Sequence, residues 1–276
     1  MLIVDAHVHV YSPDEARYPA REDARRPAPG GGSVEQLDRE CLENRVARVA
    51  HINALSFYGD DNRFLLDLTA SRGGRMAAIC TLDGEDPNGP ARLVGYATLG
   101  GARGIRIVPT APGGLQQPGV HALWRAAADL GLVVNVVVGR EQAAAVAALL
   151  VEFPGTPAVI EHALMIQASN DRSATLRDLR EIARFPNAIV ELVDLPLLSD
   201  GPYPFDDAFP TYLEIIEAFG PERCVWGSSY PAELWMPKTT YRESLDAVRV
   251  ELPIDDEARA AILGLTADRL WFGPSR

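Results

Sequence analysis

Cysteine is scarce in this chain: Cys41, Cys80 and Cys224 are scattered, odd in number and never spaced as CxxC. That excludes a disulfide framework or a zinc ribbon and suits a reducing compartment, so a cytoplasmic protein is expected. Positive charge is short as well. Lys and Arg number 26 against 38 Asp and Glu, a net charge of −12. Such a balance repels phosphate, so no nucleic-acid partner is expected. It leaves room for a small anionic substrate held by one or two arginines. No apolar run approaches the length of a bilayer span, and Met1 to His7 reads as a buried strand rather than a leader, so neither a membrane partner nor a signal peptide is expected. No GxGxxG follows the first apolar run, which removes the fingerprint of an open dinucleotide-binding sheet.

What is present is a long alternation. Eight short, β-branched, nearly continuous apolar runs are Leu2 to Val10, Arg48 to Leu55, Arg75 to Leu82, Ala102 to Pro109, Leu132 to Val138, Ala158 to Ala163, Ala188 to Leu195 and Arg223 to Ser228. Runs of that character suit parallel strands covered by helices on the outside. Between them lie stretches of helical period, Val34 to Asn44, His121 to Leu130, Arg140 to Phe153, Thr175 to Phe185 and Pro210 to Phe219. Several end in a stop signal such as Leu130-Gly131 or Phe219-Gly220-Pro221. Eight strands with intervening helices in 276 residues predict an α/β fold, a single (β/α)8 TIM barrel spanning 1–276. One insert, Ser12 to Ser33, is rich in Pro, Gly and Arg and follows the first strand; it is expected as a flexible loop or lid over the mouth.

The residues able to carry chemistry fall at the ends of these runs. Asp5-Ala6-His7-Val8-His9 closes the first, and strand alternation places His7 and His9 on one face. His162 ends the sixth run, Arg106 the fourth, and Glu191 is a lone charge in the seventh. An arginine at such a place holds a carboxylate or carbonyl oxygen by paired donors. A carboxylate in an apolar strand needs a partner or a polar mouth. His51 and Asn53 alternate along the second run and are expected to line the same mouth, Asn53 as a substrate contact; either also suits a plain hydrogen-bonded interior role.

These motifs, taken in order, resemble a known family. Asp5-Ala6-His7-Val8-His9, Gly104-Ile105-Arg106, Ile160-Glu161-His162, Asn187-Ala188-Ile189-Val190, Val225-Trp226-Gly227-Ser228-Ser229-Tyr230-Pro231 and Leu263 to Leu270 are similar to successive signatures of the amidohydrolase-2 family. The likeness lies with its lactonase-like branch, which includes 2-pyrone-4,6-dicarboxylate lactonases and fuconolactonases. The resemblance implies a barrel whose mouth binds a small, often carboxylated carbonyl compound. It also implies hydrolysis in which an aspartate after the eighth strand activates water, with the histidines binding metal or polarising the carbonyl. This chain departs from the pattern there, because Ser229 stands where the aspartate is expected. A hydroxyl is a poor general base near neutral pH and a poor metal ligand.

The expected function is therefore an amidohydrolase-related, lactonase-like hydrolase with His7, His9, His162 and Glu191 catalytic and Arg106, Asn53 and Ser229 binding substrate. A decarboxylase- or dehydratase-type lyase or isomerase, or a non-catalytic binding barrel, are the alternatives. No cofactor is required in this reading, while zinc or manganese on His7, His9 and His162 stays open. The partner expected is a small molecule, and a homo-oligomer is left open.

Overall fold

A computed structural model describes residues 1–109, 114–168, 171–193 and 195–273; Asp194, inside the seventh expected run, lies outside them. Eight parallel strands follow one another around a single sheet: β1 Val4–Val8, β2 Arg48–Ile52, β3 Met76–Thr81, β4 Ala102–Ile107, β5 Val133–Val136, β6 Ala158–Ile160, β7 Ala188–Leu192 and β8 Cys224–Trp226. The sheet closes between its first and last members at a Val8–Tyr230 bridge, where the His9 amide donates to the Tyr230 carbonyl at 2.8 Å. The result is a (β/α)8 barrel. Every strand is shorter at its C-terminal end than the apolar run that predicted it, because those ends turn into the irregular mouth.

The strands' inward residues make one buried cluster. Val4 and Ala6, Ala50 and Ile52, Ala77 and Ile79, Val133, Val159, Ile189 and Val225 meet inside the barrel, and Ala267 and Trp271 of the last helix, Thr266–Trp271, pack on the same cluster. A second layer, between strands and helices, takes the outward residues such as Val49, Val134 and Trp226. Alternation thus sends each strand's side chains to two apolar environments, which explains the near-continuous apolarity of the runs.

The helices form where the sequence supplies ends. Val34–Asn44 starts at Ser33, whose hydroxyl accepts from the Gln36 amide at 3.2 Å, and stops at Arg45 in the left-handed region. Pro118–Asp129 opens on proline, which loses no bond in a first turn. The helices Arg63–Ala70 and Gly89–Thr98 were not among the expected stretches; they are short, and the second contains Gly89, Pro90 and Gly95. Among the described residues no helix is long and apolar enough to cross a membrane.

Candidate active site

The strand ends carry the polar residues. On β1 the register with β2 slips between Asp5 and Val8. Val4 and Ala6 already face the interior, so unbroken alternation would turn His7 and His9 outward; the irregularity brings both into the mouth. Room for His7 comes from β8: a Cβ on Gly227 would lie 2.6 Å from the His7 Cβ and 2.9 Å from its amide nitrogen. Outside the barrel, Asp5 ties the same two strands together. It accepts from the Ser228 amide at 2.9 Å, the Ser228 hydroxyl at 2.6 Å, the Tyr241 hydroxyl at 2.8 Å and the His7 amide at 3.1 Å. Burial outweighs these donors and pushes the Asp5 carboxyl up to about 6.

The histidines are buried and directed. His7 Nδ1 lies 2.9 Å from Glu191 Oε1, and His9 Nδ1 lies 2.9 Å from the Ile52 carbonyl. Each acceptor assigns the proton to Nδ1, so in neutral rings both Nε2 atoms present lone pairs. Those two atoms stand 3.1 Å apart. Two lone pairs at that separation repel unless a proton or cation joins them. Burial, with the charges of His7 and Arg106 behind it, holds His9 well below the usual imidazole range, so His9 itself stays neutral.

His162 enters from an unusual backbone. His162, Ala163, Leu164 and Met165 have φ of 53°, 46°, 59° and 57°, a full left-handed turn without glycine. Such residues cost about 1–2 kcal/mol each. The turn is held by the burial of Ala163, Leu164 and Ile166 and by the His162 amide, which donates to Glu191 Oε2 at 3.2 Å. It leaves the His162 ring 5.0 Å from that of His7. Strained residues of this kind cluster at functional sites.

Glu191 thus clamps β1 and β6 at once. It is wholly buried and does not line the mouth cavity, standing one step behind it through His7. Arg106 does line the cavity, and Glu161 holds its Nε at 2.8 Å and Nη2 at 2.7 Å. Glu161 had no role in the sequence reading; its alternation with inward Val159 on β6 was the available signal. Ser229, at φ 52°, faces the cavity beside the histidines.

The second strand requires a correction. Its inward residues are Ala50 and Ile52, so His51 points outward, 6.3 Å from the Phe64 ring, and burial lowers its imidazole to about 3. Asn53 does not line the cavity either. Its amide donates to the Gly59 carbonyl at 2.7 Å and secures the loop after β2. Alternation was read correctly along this strand but on the wrong face.

Together these elements enclose a cavity of about 430 Å3 lined by His7, His9, Arg106, His162 and Ser229, by Arg25, Ser56, Gln167 and Trp235, and by apolar residues such as Val137, Met165 and Leu197. No carboxylate side chain lines it among the described residues. Arg25, Gln167 and Trp235 were missed in the sequence, since no spacing marks a loop residue that returns over a barrel. Ligand atoms of His7, Glu161, His162 and Glu191 lie within 4.8 Å of one another. Tetrahedral zinc sets its ligands about 3.3 Å apart. The two facing Nε2 atoms, each ring anchored through Nδ1 to an acceptor, have the outer-shell arrangement of metal-binding imidazoles. The group His7, Glu161, His162 and Glu191 therefore fits a divalent ion of the zinc type, and His9, expected as a ligand beside His7 and His162, is not part of it.

Comparison with known proteins agrees with the barrel fold. Among curated proteins none is similar enough to count as a match. Solved structures share the architecture across the whole chain. A probable 2-pyrone-4,6-dicarboxylic acid hydrolase of Acinetobacter baumannii, with citric acid bound, superposes with a TM-score of 0.81 at 18% identity, covering 99% of this chain and 100% of that one. An amidohydrolase of Burkholderia multivorans with bound zinc gives 0.78 at 22%, covering 99% and 100%. A 5-carboxyvanillate decarboxylase of Sphingomonas paucimobilis gives 0.69 at 16%, covering 99% of each. At these identities the likeness establishes the fold. The amidohydrolase family profile, in contrast, matches the sequence itself over residues 4–273, and the chain belongs to that family.

Proposed function

We propose that the protein is an enzyme that hydrolyses a small carboxylated carbonyl compound, in the manner of a lactonase. The observation that carries this reading is the cavity wall, where an arginine, three imidazoles and a serine converge and no carboxylate side chain intrudes. An anionic substrate meets donors there and no like charge. Arg106, braced by Glu161, takes the substrate carboxylate on its remaining N–H groups. His162 and Ser229 reach the carbonyl oxygen. The Nε2 atom of His7 is the available proton acceptor for water, and Glu191 fixes its ring. Water adds to the carbonyl carbon, the ring carbon–oxygen bond breaks, and an alcohol and a carboxylate result with release of one proton. Where a divalent ion is bound, His7 and His162, with Glu161 and Glu191 within reach, would hold it, and it would supply polarisation of the carbonyl.

Ser229 favours one second reading. A decarboxylase-type lyase activates no water, so it does not need the carboxylate that Ser229 replaces, and a decarboxylase is among the proteins sharing this fold. Incubation with carboxylated lactones and with hydroxybenzoates separates the two, following acid release and carbon dioxide. The expected result is acid release from a lactone, lowered at least about 100-fold in His162→Ala and Arg106→Ala while both stay folded. Full activity in both variants would place the site elsewhere. Carbon dioxide release without lactone hydrolysis would select the lyase. Ser229→Asp is expected to tighten zinc binding and raise lactone hydrolysis; a folded variant that gains neither would remove the idea that serine replaced a working base.

A further inference from the structure

The insert after β1 carries four arginines, and three of them are neutralised. Arg17 pairs with Asp67 at 2.7 Å, Arg21 with Asp23 at 2.6 Å, and Arg26 with Glu15. Arg25 is different. Among the described residues no carboxylate pairs with it; its guanidinium lies 4.3 Å from the centre of the Trp235 ring and donates to the Leu234 carbonyl at 2.7 Å. Its backbone is pinned across the mouth, the Arg25 amide donating to the Ser56 carbonyl at 3.0 Å and the Arg21 amide to the Phe57 carbonyl at 2.8 Å. The side chain therefore reaches the cavity by a fixed route and forms part of its lining.

In a protein of net charge −12, a cation left without a counter-charge at the wall of a cavity is a place for an anion. One further donor agrees. The indole N–H of Trp235, which also lines the cavity, is buried and has no hydrogen-bond partner. Trp235 spans the gap to the catalytic groups, with its ring 6.0 Å from that of His9.

We propose that the segment 12–33 is a specificity lid, in which Arg25, laid on Trp235, receives the second anionic group of a two-headed substrate whose first anionic group is held at Arg106. This rests on the site assigned under the proposed function and adds the substrate's charge pattern to it. Trp235 supports the guanidinium as a flat platform and offers its N–H beside it. A charge-assisted contact of this kind separates a diacid from the matching monoacid by at least about tenfold.

Calorimetry with isophthalate against benzoate, and glutarate against butyrate, tests it on the whole protein. The native chain is expected to prefer the diacid at least about tenfold in one or both pairs. Arg25→Ala is expected to bring that ratio close to one, and Arg25→Lys to restore part of it. Arg106→Ala is expected to weaken binding of diacid and monoacid alike. Lack of preference in both pairs, or a ratio unchanged in Arg25→Ala, overturns the lid assignment. If Arg106→Ala alters the binding of no acid, the site itself is wrong, an outcome distinct from failure of the lid alone.

Discussion

The two ends of the barrel are built from the same strands and behave as different materials. Toward the N-terminal ends, the interior is Val4, Ala6, Ala50, Ile189 and Val225 packed with Trp271 and Ala267. Toward the C-terminal ends, the same faces carry Arg106, Glu161 and Glu191, joined by His7 from β1. The lower half needs only volume and apolar character. The upper half buries carboxylates, Glu161 paired with the Arg106 charge and Glu191 with the His7 imidazole, and each is tolerable only while its partner stays. A barrel of this kind is therefore a packed plug supporting a polar rim, and stability and function should separate along its axis.

A pair of glycine substitutions makes the most severe test of that separation. In Gly264→Ala, at the lower end, the new Cβ would lie 2.2 Å from the Leu2 carbonyl oxygen; in Gly227→Ala, at the upper end, it would press on His7 at 2.6 Å. Both are expected to lose about 3 kcal/mol or more, seen as a lowered Tm. Only Gly227→Ala should also abolish binding of acids at temperatures where it is still folded. Equal loss of binding in both variants would show that the two ends are not independent.

Asp5 sharpens the comparison, since it is a buried carboxyl at the upper end but on the outer side of the barrel. Folded, it keeps its proton to about pH 6, whereas an unfolded chain releases it near the ordinary carboxylate value. Between those two pH values the unfolded state binds fewer protons, so this group makes the fold less stable as pH rises, by about 3 kcal/mol in all. Stability measured by denaturant at pH 4 and at pH 7 is expected to show that decrement in the native chain, and Asp5→Asn should lack it. Parallel pH curves for the two proteins would remove the assignment.

The smallest effect is expected at Asn53. Asn53→Ala gives up one bond to the Gly59 carbonyl and should cost about 1 kcal/mol of stability. Turnover and acid binding should stay within about twofold, because the side chain holds a loop and does not line the cavity. A large loss of substrate affinity with unchanged Tm would return Asn53 to the list of substrate contacts.

Much of this was legible in the residues in order. The eight apolar runs and most of the helical stretches between them state a βα repeat, since period and burial are local properties of a strand or a helix. His7, His9, Arg106, His162 and Ser229 were all picked out at strand ends, and all line the same cavity. What alternation could not state was which of two faces points inward. On β2 it was read the wrong way, and on β1 the irregularity between Asp5 and Val8 changes the answer within one strand. Nothing in a single run of residues records a register slip, which is a relation between two strands. Glu191 stood out as a charge in an apolar run, yet its place behind His7 rather than in the cavity depends on two other strands arriving at its oxygens. For Arg25 the gap is wider still: four arginines in one proline- and glycine-rich insert look alike in sequence, and only folding brings acids to three of them and Trp235 to the fourth. Hydrophobic period is written in neighbouring residues, so the barrel and the kinds of group at its mouth could be read from the chain alone. The tertiary structure decided which groups face one another, because electrostatic partnership depends on distances across the barrel that no local pattern carries.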